Sequence, residues 1–215
     1  MTTYKELFGK AVKFLDTDPV NEAEGQVWYN STTGAFRSVL SSAAWSSGSP
    51  INSLKRGGSG GGVQTAAFIA GGEVPGSPSD TNSSELYNGS GWSIGENMTT
   101  SVRSNTGDGT QTAGWSAGGG NPGVISTTQE FDGISWSNVN PINTARQQLG
   151  GAGPQTSAFV AAGYIAADSN ATENYDGTSW TTSGTTSLAR RGLTSSATGT
   201  QIAGLLIGGF ADSIP

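Results

Sequence analysis

Residues 146–180 read RQQLGGAGPQTSAFVAAGYIAADSNATENYDGTSW, and most of the chain repeats this stretch. Its ending is an aromatic, Asn or Asp, Gly, and a Trp three residues after the Gly. That ending appears three times: Tyr87-Asn88-Gly89 to Trp92, Phe131-Asp132-Gly133 to Trp136, and Tyr175-Asp176-Gly177 to Trp180. With Trp45 the Trp spacings are 47, 44 and 44 residues. Other landmarks keep step: Gln64, Gln111, Gln155 and Gln201, each shortly before an Ala, and Arg56, Arg103, Arg146 and Arg190. A small-residue pair closes each apolar run at Gly71-Gly72, Gly118-Gly119, Ala162-Gly163 and Gly208-Gly209. Several landmarks at one period define a repeat protein with a unit of about 44 residues.

Composition narrows the chemistry. The net charge is −6, and no basic stripe exists of the kind that nucleic acid requires. The 34 Gly residues among 215 fall at fixed repeat positions, which is turn chemistry rather than low complexity. Cys and His are both absent, which removes disulfides, thiolate metal sites and the commonest general base. No apolar run is long enough for a membrane helix, and no apolar stretch of a secretory signal is visible. Five Asn-x-Ser/Thr triplets carry no weight in a chain so rich in those residues. No metal or other cofactor is expected.

The chain divides into an N-terminal region, residues 1–44, and a repeat region, residues 45–215. Residues 3–15 predict an amphipathic helix: Thr3 and Glu6 form a capping box, and Tyr4, Leu7, Phe8, Ala11, Val12 and Leu15 share one face. Asp18-Pro19 ends it. Residues 24–40 predict a β-hairpin, with strands at Gln26–Asn30 and Ala35–Leu40 around Ser31-Thr32-Thr33-Gly34.

Each repeat predicts four short strands: a Gly-rich one after the Arg, the apolar run, one carrying the aromatic (Tyr87, Phe131, Tyr175) and one carrying the Trp. The Asn/Asp-Gly turn joins the last two. Four antiparallel strands per unit of this length make a β-propeller blade, so the fold class is all-β. Trp45, Trp92, Trp136 and Trp180, with Tyr87, Phe131 and Tyr175, are the candidate core between units. Three full units (56–92, 103–136, 146–180) and half of a fourth (190–209) are present, so the edge at Ala203–Ile207 needs a cover.

The order Arg, Gly-rich strand, apolar run with Gly pair, Tyr and Trp over residues 45–210 resembles the kelch repeat. The Gln-Thr-Ala context and the aromatic-Asp/Asn-Gly ending are closer to kelch-like repeats of tailed-phage structural proteins. Glu24–Gly34, reading EGQVWYNSTTG, is similar to hairpins of phage tail-fibre and virion proteins. The resemblance implies a kelch-like propeller on a virion protein, located in the phage particle. It also implies that Arg56, Arg103, Arg146 and Arg190 ring one mouth of a central channel, where they could take an acidic partner or a sugar acid. The alternative for each Arg is a structural role, bonding its own loop carbonyls.

Catalytic patterns are missing. Asn88, Asp132 and Asp176 occupy equivalent turn positions, so they cannot pair as glycosidase acids within a unit. Asp176 is followed directly by Gly177, which breaks a sialidase box, and no Gly-rich stretch has the phosphate-loop pattern. The expectation is a non-enzymatic virion component, a tail fibre or appendage for assembly or adhesion. Its partners would be other virion proteins, bound through residues 1–44, and further copies of itself, with no nucleic acid and no membrane insertion. The alternative is a tip protein that binds or degrades a host-surface glycan.

Overall fold

A computed structural model of the chain describes residues 13–20, 26–38, 47–76, 79–196 and 199–211. The chain forms two compact units, Met1–Ser47 and Gly48–Pro215. All regular structure among the described residues is β.

The first unit holds a three-stranded sheet of β1 (Lys13–Leu15), β2 (Val27–Asn30) and β3 (Ala35–Ser38), in the order β1-β2-β3. The hairpin falls where the sequence places it, although Glu24, Gly25, Val39 and Leu40 lie outside the described residues. The helix over 3–15 is corrected at its end. Residues 3–12 lie outside the described residues, and Lys13–Leu15 is a strand running parallel to β2. Pairing overrides the helical period here. The Phe14 ring packs 4.6 Å from Tyr29, and the Ser31 N–H donates to the Leu15 carbonyl at 2.8 Å. Asp18, read as a helix stop, is instead a hub. Its Oδ1 accepts from Trp28 Nε1 and Asn30 Nδ2, both at 2.8 Å, and Asn30 Oδ1 accepts the Thr32 and Thr33 N–H groups of the turn.

The second unit contains the repeats. Repeat 1 is the sheet β4 (Ser59–Val63), β5 (Ala66–Ala70), β6 (Ser84–Tyr87) and β7 (Trp92–Ile94). Repeat 2 is β8 (Thr106–Thr110), β9 (Ala113–Ala117), β12 (Thr128–Phe131) and β13 (Trp136–Val139), with the small hairpin β10 (Gly120–Asn121) and β11 (Gly123–Val124) in its loop. Repeat 3 is β14 (Gly150–Ala152), β15 (Phe159–Ala161), β16 (Ala171–Tyr175) and β17 (Trp180–Thr185). Each is an antiparallel meander in sequence order. Repeat 4 is the pair β18 (Arg191–Ser195) and β19 (Leu206–Phe210). In the first three repeats the small-residue pair follows the second strand, as the sequence implies. In the fourth, β19 runs through Gly208-Gly209, because Leu193 pairs with Gly208 and Arg191 with Phe210.

The inner strands β4, β8, β14 and β18 lie side by side in chain order. The core sits between consecutive sheets rather than within them. Phe68, Met98, Val102, Phe131 and Trp136 fill the junction of repeats 1 and 2. Trp115, Ile142, Leu149, Val160, Tyr175 and Trp180 fill the next, and Ala152, Phe159 and Ala161 the third. Trp136 and Trp180 each stack on their own repeat's aromatic and meet the preceding repeat edge-on. Trp136 lies 5.1 Å from Phe131 and 5.9 Å from Phe68; Trp180 lies 4.8 Å from Tyr175 and 5.9 Å from Trp115. Trp92 touches Tyr87 but is only half-buried, unlike Trp136 and Trp180. Trp45 lies outside the described residues.

The large aromatic of one repeat needs a small residue on the next. A Cβ at Gly114 would stand 2.6 Å from Phe68 Cε1, closer than packed atoms tolerate. The repeated Gln adds polar stitching. Gln111 Nε2 donates to the Ala67 and Tyr87 carbonyls of repeat 1; Gln155 and Gln201 do the same to repeats 2 and 3. At the inner edge, Ser104 N–H donates to Gly57 O, Gln148 N–H to Ser104 O, and Gly192 N–H to Gln148 O. All four of these residues are left-handed, with φ of 64°, 54°, 56° and 69°. Only Gly adopts that conformation freely, so Ser104 and Gln148 are strained there and held by the bonds on either side.

Candidate functional site

The four arginines taken as one ring occupy two adjacent columns. The equivalence is fixed by bridge pairs and by the inner hydrogen-bond chain. Arg56 pairs with Glu73, Arg103 with Gly120, Gln147 with Tyr164, and Arg191 with Phe210. One column is therefore Arg56, Arg103, Gln147 and Arg191. The other is Lys55, Val102, Arg146 and Arg190.

The second column is internal at Lys55, Val102 and Arg146, while Arg190 is half-buried. Arg146 is 0% exposed. Its guanidinium donates to the Ala171 carbonyl at 2.6 Å, the Ala162 carbonyl at 3.1 Å and Glu173 Oε1 at 2.7 Å. Burial lowers the Arg146 pKa, and Glu173 opposes that shift. Lys55 repeats the device: its ammonium lies 3.4 Å from Glu85 and donates to Ser83 Oγ at 2.9 Å, with both charged side chains 1% exposed. Arg190 donates to the Gly208 carbonyl, the counterpart of the Ala162 carbonyl. Repeat 2 is neutral at both places, with Val102 and Gln129. Lys55 and Arg146 therefore bond oxygens and an acid of their own repeat, Arg190 a carbonyl of its own, and Arg146 presents no surface to a ligand.

The acids have a second task. Glu85 accepts the Asn52 and Ser53 N–H groups, and Glu173 those of Asn143 and Thr144. Gln129 accepts from Thr99 Oγ1 and the Thr100 N–H in the same way. This side chain anchors the segment entering each of the first three repeats. Burial works against ionisation of Glu85, but those N–H groups and the Lys55 ammonium outweigh it and hold its carboxyl below the usual range.

The first column is closer to solvent, and its cations carry acidic partners. Arg56, 69% exposed, pairs with Glu73 at 3.0 Å; Arg103 pairs with Asp80 at 2.5 Å. Arg191 pairs with Asp168 at 2.6 Å and lies over the Tyr164 and Phe210 rings. Arg56 is thus the most open of the predicted ring. The turn residues are locked too. Asp132 Oδ1 accepts the Ile134 and Ser135 N–H groups at 2.8 and 2.7 Å, Asp176 and Asn88 repeat the pattern, and these bonds lower both Asp pKa values.

Two cavities open along the inner strands. The smaller, about 210 Å³, is lined by all four repeats, including Ser59, Asn105, Thr106, Thr194 and Ser195. The larger, about 380 Å³, is lined by the turns between first and second strands, including Gln111, Pro154 and Thr200. Asp108 lines both and is the one titratable side chain among their described lining residues. It is buried, and that burial raises its pKa, although its Oδ2 accepts the Gly153 N–H at 2.9 Å. The sequence reading missed Asp108. Its signal was the column itself: Gly61, Ala152 and Ser196 stand at the equivalent positions, so one carboxyl interrupts a row of small residues.

Chemically, a lone carboxyl among hydroxyls and amides orients a neutral polar ligand or holds a proton. Glycosidase chemistry needs a second carboxyl about 5–10 Å away, and neither cavity lining includes one. Among the described residues no group of three acidic side chains forms a metal cage. No protein-family model matches the chain, and no curated protein matches it.

Proposed function

We propose that this chain is a non-enzymatic structural protein of a phage particle, a tail-fibre or appendage component built on kelch-like β-propeller repeats. Its first 44 residues would attach to other virion proteins, and the repeats would display a surface for assembly or adhesion. The observation that carries the reading is where the repeated side chains go. The Trp, the Gln, the Arg146-type cation and its acid join sheets or anchor loops, so the periodic residues serve architecture. The kelch-like order of landmarks and the EGQVWYNSTTG hairpin support the virion assignment.

The test is quantitative mass spectrometry of purified particles. A fixed copy number per particle is expected, together with loss of incorporation when residues 1–44 are deleted. Absence from particles made in cells that express the protein would overturn it. A glycan-binding tip is the second reading, favoured by the hydroxyl- and amide-lined cavity around Asp108. A glycan array screened with the full chain and with Asp108→Asn distinguishes the two.

A further inference from the structure

Every junction inside the repeat region uses one plug and one socket. The plug, on the trailing face of a repeat, is the large second-strand side chain: Phe68, Trp115 or Phe159. The socket, on the leading face of the next repeat, is the small residue Gly114, Ala158 or Gly204. Beside it stands the glutamine that donates to the plug strand's carbonyls. A Cβ at Gly204 would meet the Phe159 ring as one at Gly114 meets Phe68. Gln111, Gln155 and Gln201 reach the Ala67, Gly114 and Ala158 carbonyls.

Among the described residues, both halves of this joint also stand open. On the leading face of repeat 1, Ala67 occupies the socket position and is half-buried. Gln64 is exposed there, with no hydrogen-bond partner among the described residues. Tyr87 and Trp92 on that face are half-buried, whereas Phe131, Trp136, Tyr175 and Trp180 at the same positions are buried. On the trailing face of repeat 4, Leu205 occupies the plug position and is 58% exposed, with Ile207 beside it at 50%. The Gly204 carbonyl stands where the carbonyls used by the other glutamines stand.

We propose that the leading face of repeat 1 receives the trailing face of repeat 4 from a second copy of this chain. The joint is head-to-tail, and it reproduces the three junctions already made within one molecule. Leu205 enters over Ala67, against Trp92, and Gln64 donates to the partner's Gly204 carbonyl. A heterologous joint of this kind leaves one free plug and one free socket on every pair, so it propagates or closes a ring. The proposal is independent of the virion assignment.

The test is sedimentation of the full 215-residue chain over a wide concentration series, with Ala67→Glu and Leu205→Glu, each of which puts a charge into one half of the joint. The wild type should form species of two or more copies as concentration rises. Each variant alone should remain a monomer with an unchanged circular-dichroism spectrum. An equimolar mixture of the two variants should form a heterodimer, because one retains its plug and the other its socket. Gln64→Ala, which removes only the hydrogen bond, should weaken association about tenfold, as one bond of ordinary strength implies. A wild type that stays monomeric throughout overturns the proposal. So does assembly of either charged variant by itself, or a mixture that stays monomeric while the wild type assembles.

Discussion

Replacing Arg146 by Met and Glu173 by Gln together should leave the protein near its native stability, although either change alone should be severe. Both charged side chains are at most 2% exposed. Arg146→Met leaves the Glu173 carboxylate with the Asn143 and Thr144 N–H groups but no cation; Glu173→Gln leaves a guanidinium with only carbonyls. Each single change creates an uncompensated buried charge, which costs about 3–5 kcal/mol. The double variant creates none. It takes up the neutral arrangement of repeat 2, where Val102 is buried and the Gln129 amide accepts from Thr100 N–H at 3.1 Å and donates back to Thr100 O at 3.3 Å. What remains is the loss of donors to the Ala162 and Ala171 carbonyls, about 1–2 kcal/mol in all. Urea denaturation of the four proteins at neutral pH gives the cycle. A double variant as unstable as the sum of the two singles would refute the reasoning, because the repeats would then not be interchangeable at this position.

Gly114→Ala should destabilise by about 1–3 kcal/mol, since the new methyl group meets the Phe68 ring, and a thermal melt reads the loss. Trp180→Ala should cost about 3–5 kcal/mol and Trp92→Ala clearly less, because only the former is sealed between two sheets; equal losses in urea would contradict the packing described. For Asp108, burial raises the folded-state pKa, so the native state holds the proton more tightly than the unfolded chain does. Its contribution is therefore fully present below the ordinary Asp value of about 3.9 and is lost as pH rises through the raised value. Asp108→Asn should then raise the denaturation midpoint at pH 7, with the gain vanishing in acid, and no gain at pH 7 would sink the assignment.

The repeat itself was legible because its landmarks make contacts between units, and contacts made once per unit impose one period. Gln111, Gln155 and Gln201 recur because each crosses to the preceding sheet, although nothing in the sequence says which carbonyls they meet. The arginines were misaligned for a simple reason. Two neighbouring positions both admit cations, and the step from Arg103 to Arg146 is 43 residues where the other landmarks step 44. The bridge pairs and the inner hydrogen-bond chain show that Gln147, not Arg146, continues the first column. The strand at Lys13–Leu15 was illegible because its partner, β2, lies across a connection that no local period reports.

The three loops that leave the second strands end on one closing bond. Gly71 N–H donates to Ser83 O at 3.0 Å, Gly118 N–H to Thr127 O at 2.9 Å, and Ala162 N–H to Ala171 O at 2.9 Å. The first spans three more residues than the other two, the same three that lengthen the first period from 44 to 47. That bond closes each loop at its sheet, while Glu73, Gly120 and Tyr164 within the loops bridge back to the first column. Extra length between those bridging residues costs chain entropy, about 0.6 kcal/mol for a doubling. The stretches between the bridging residues can therefore lengthen while the register of the strands behind them stands still.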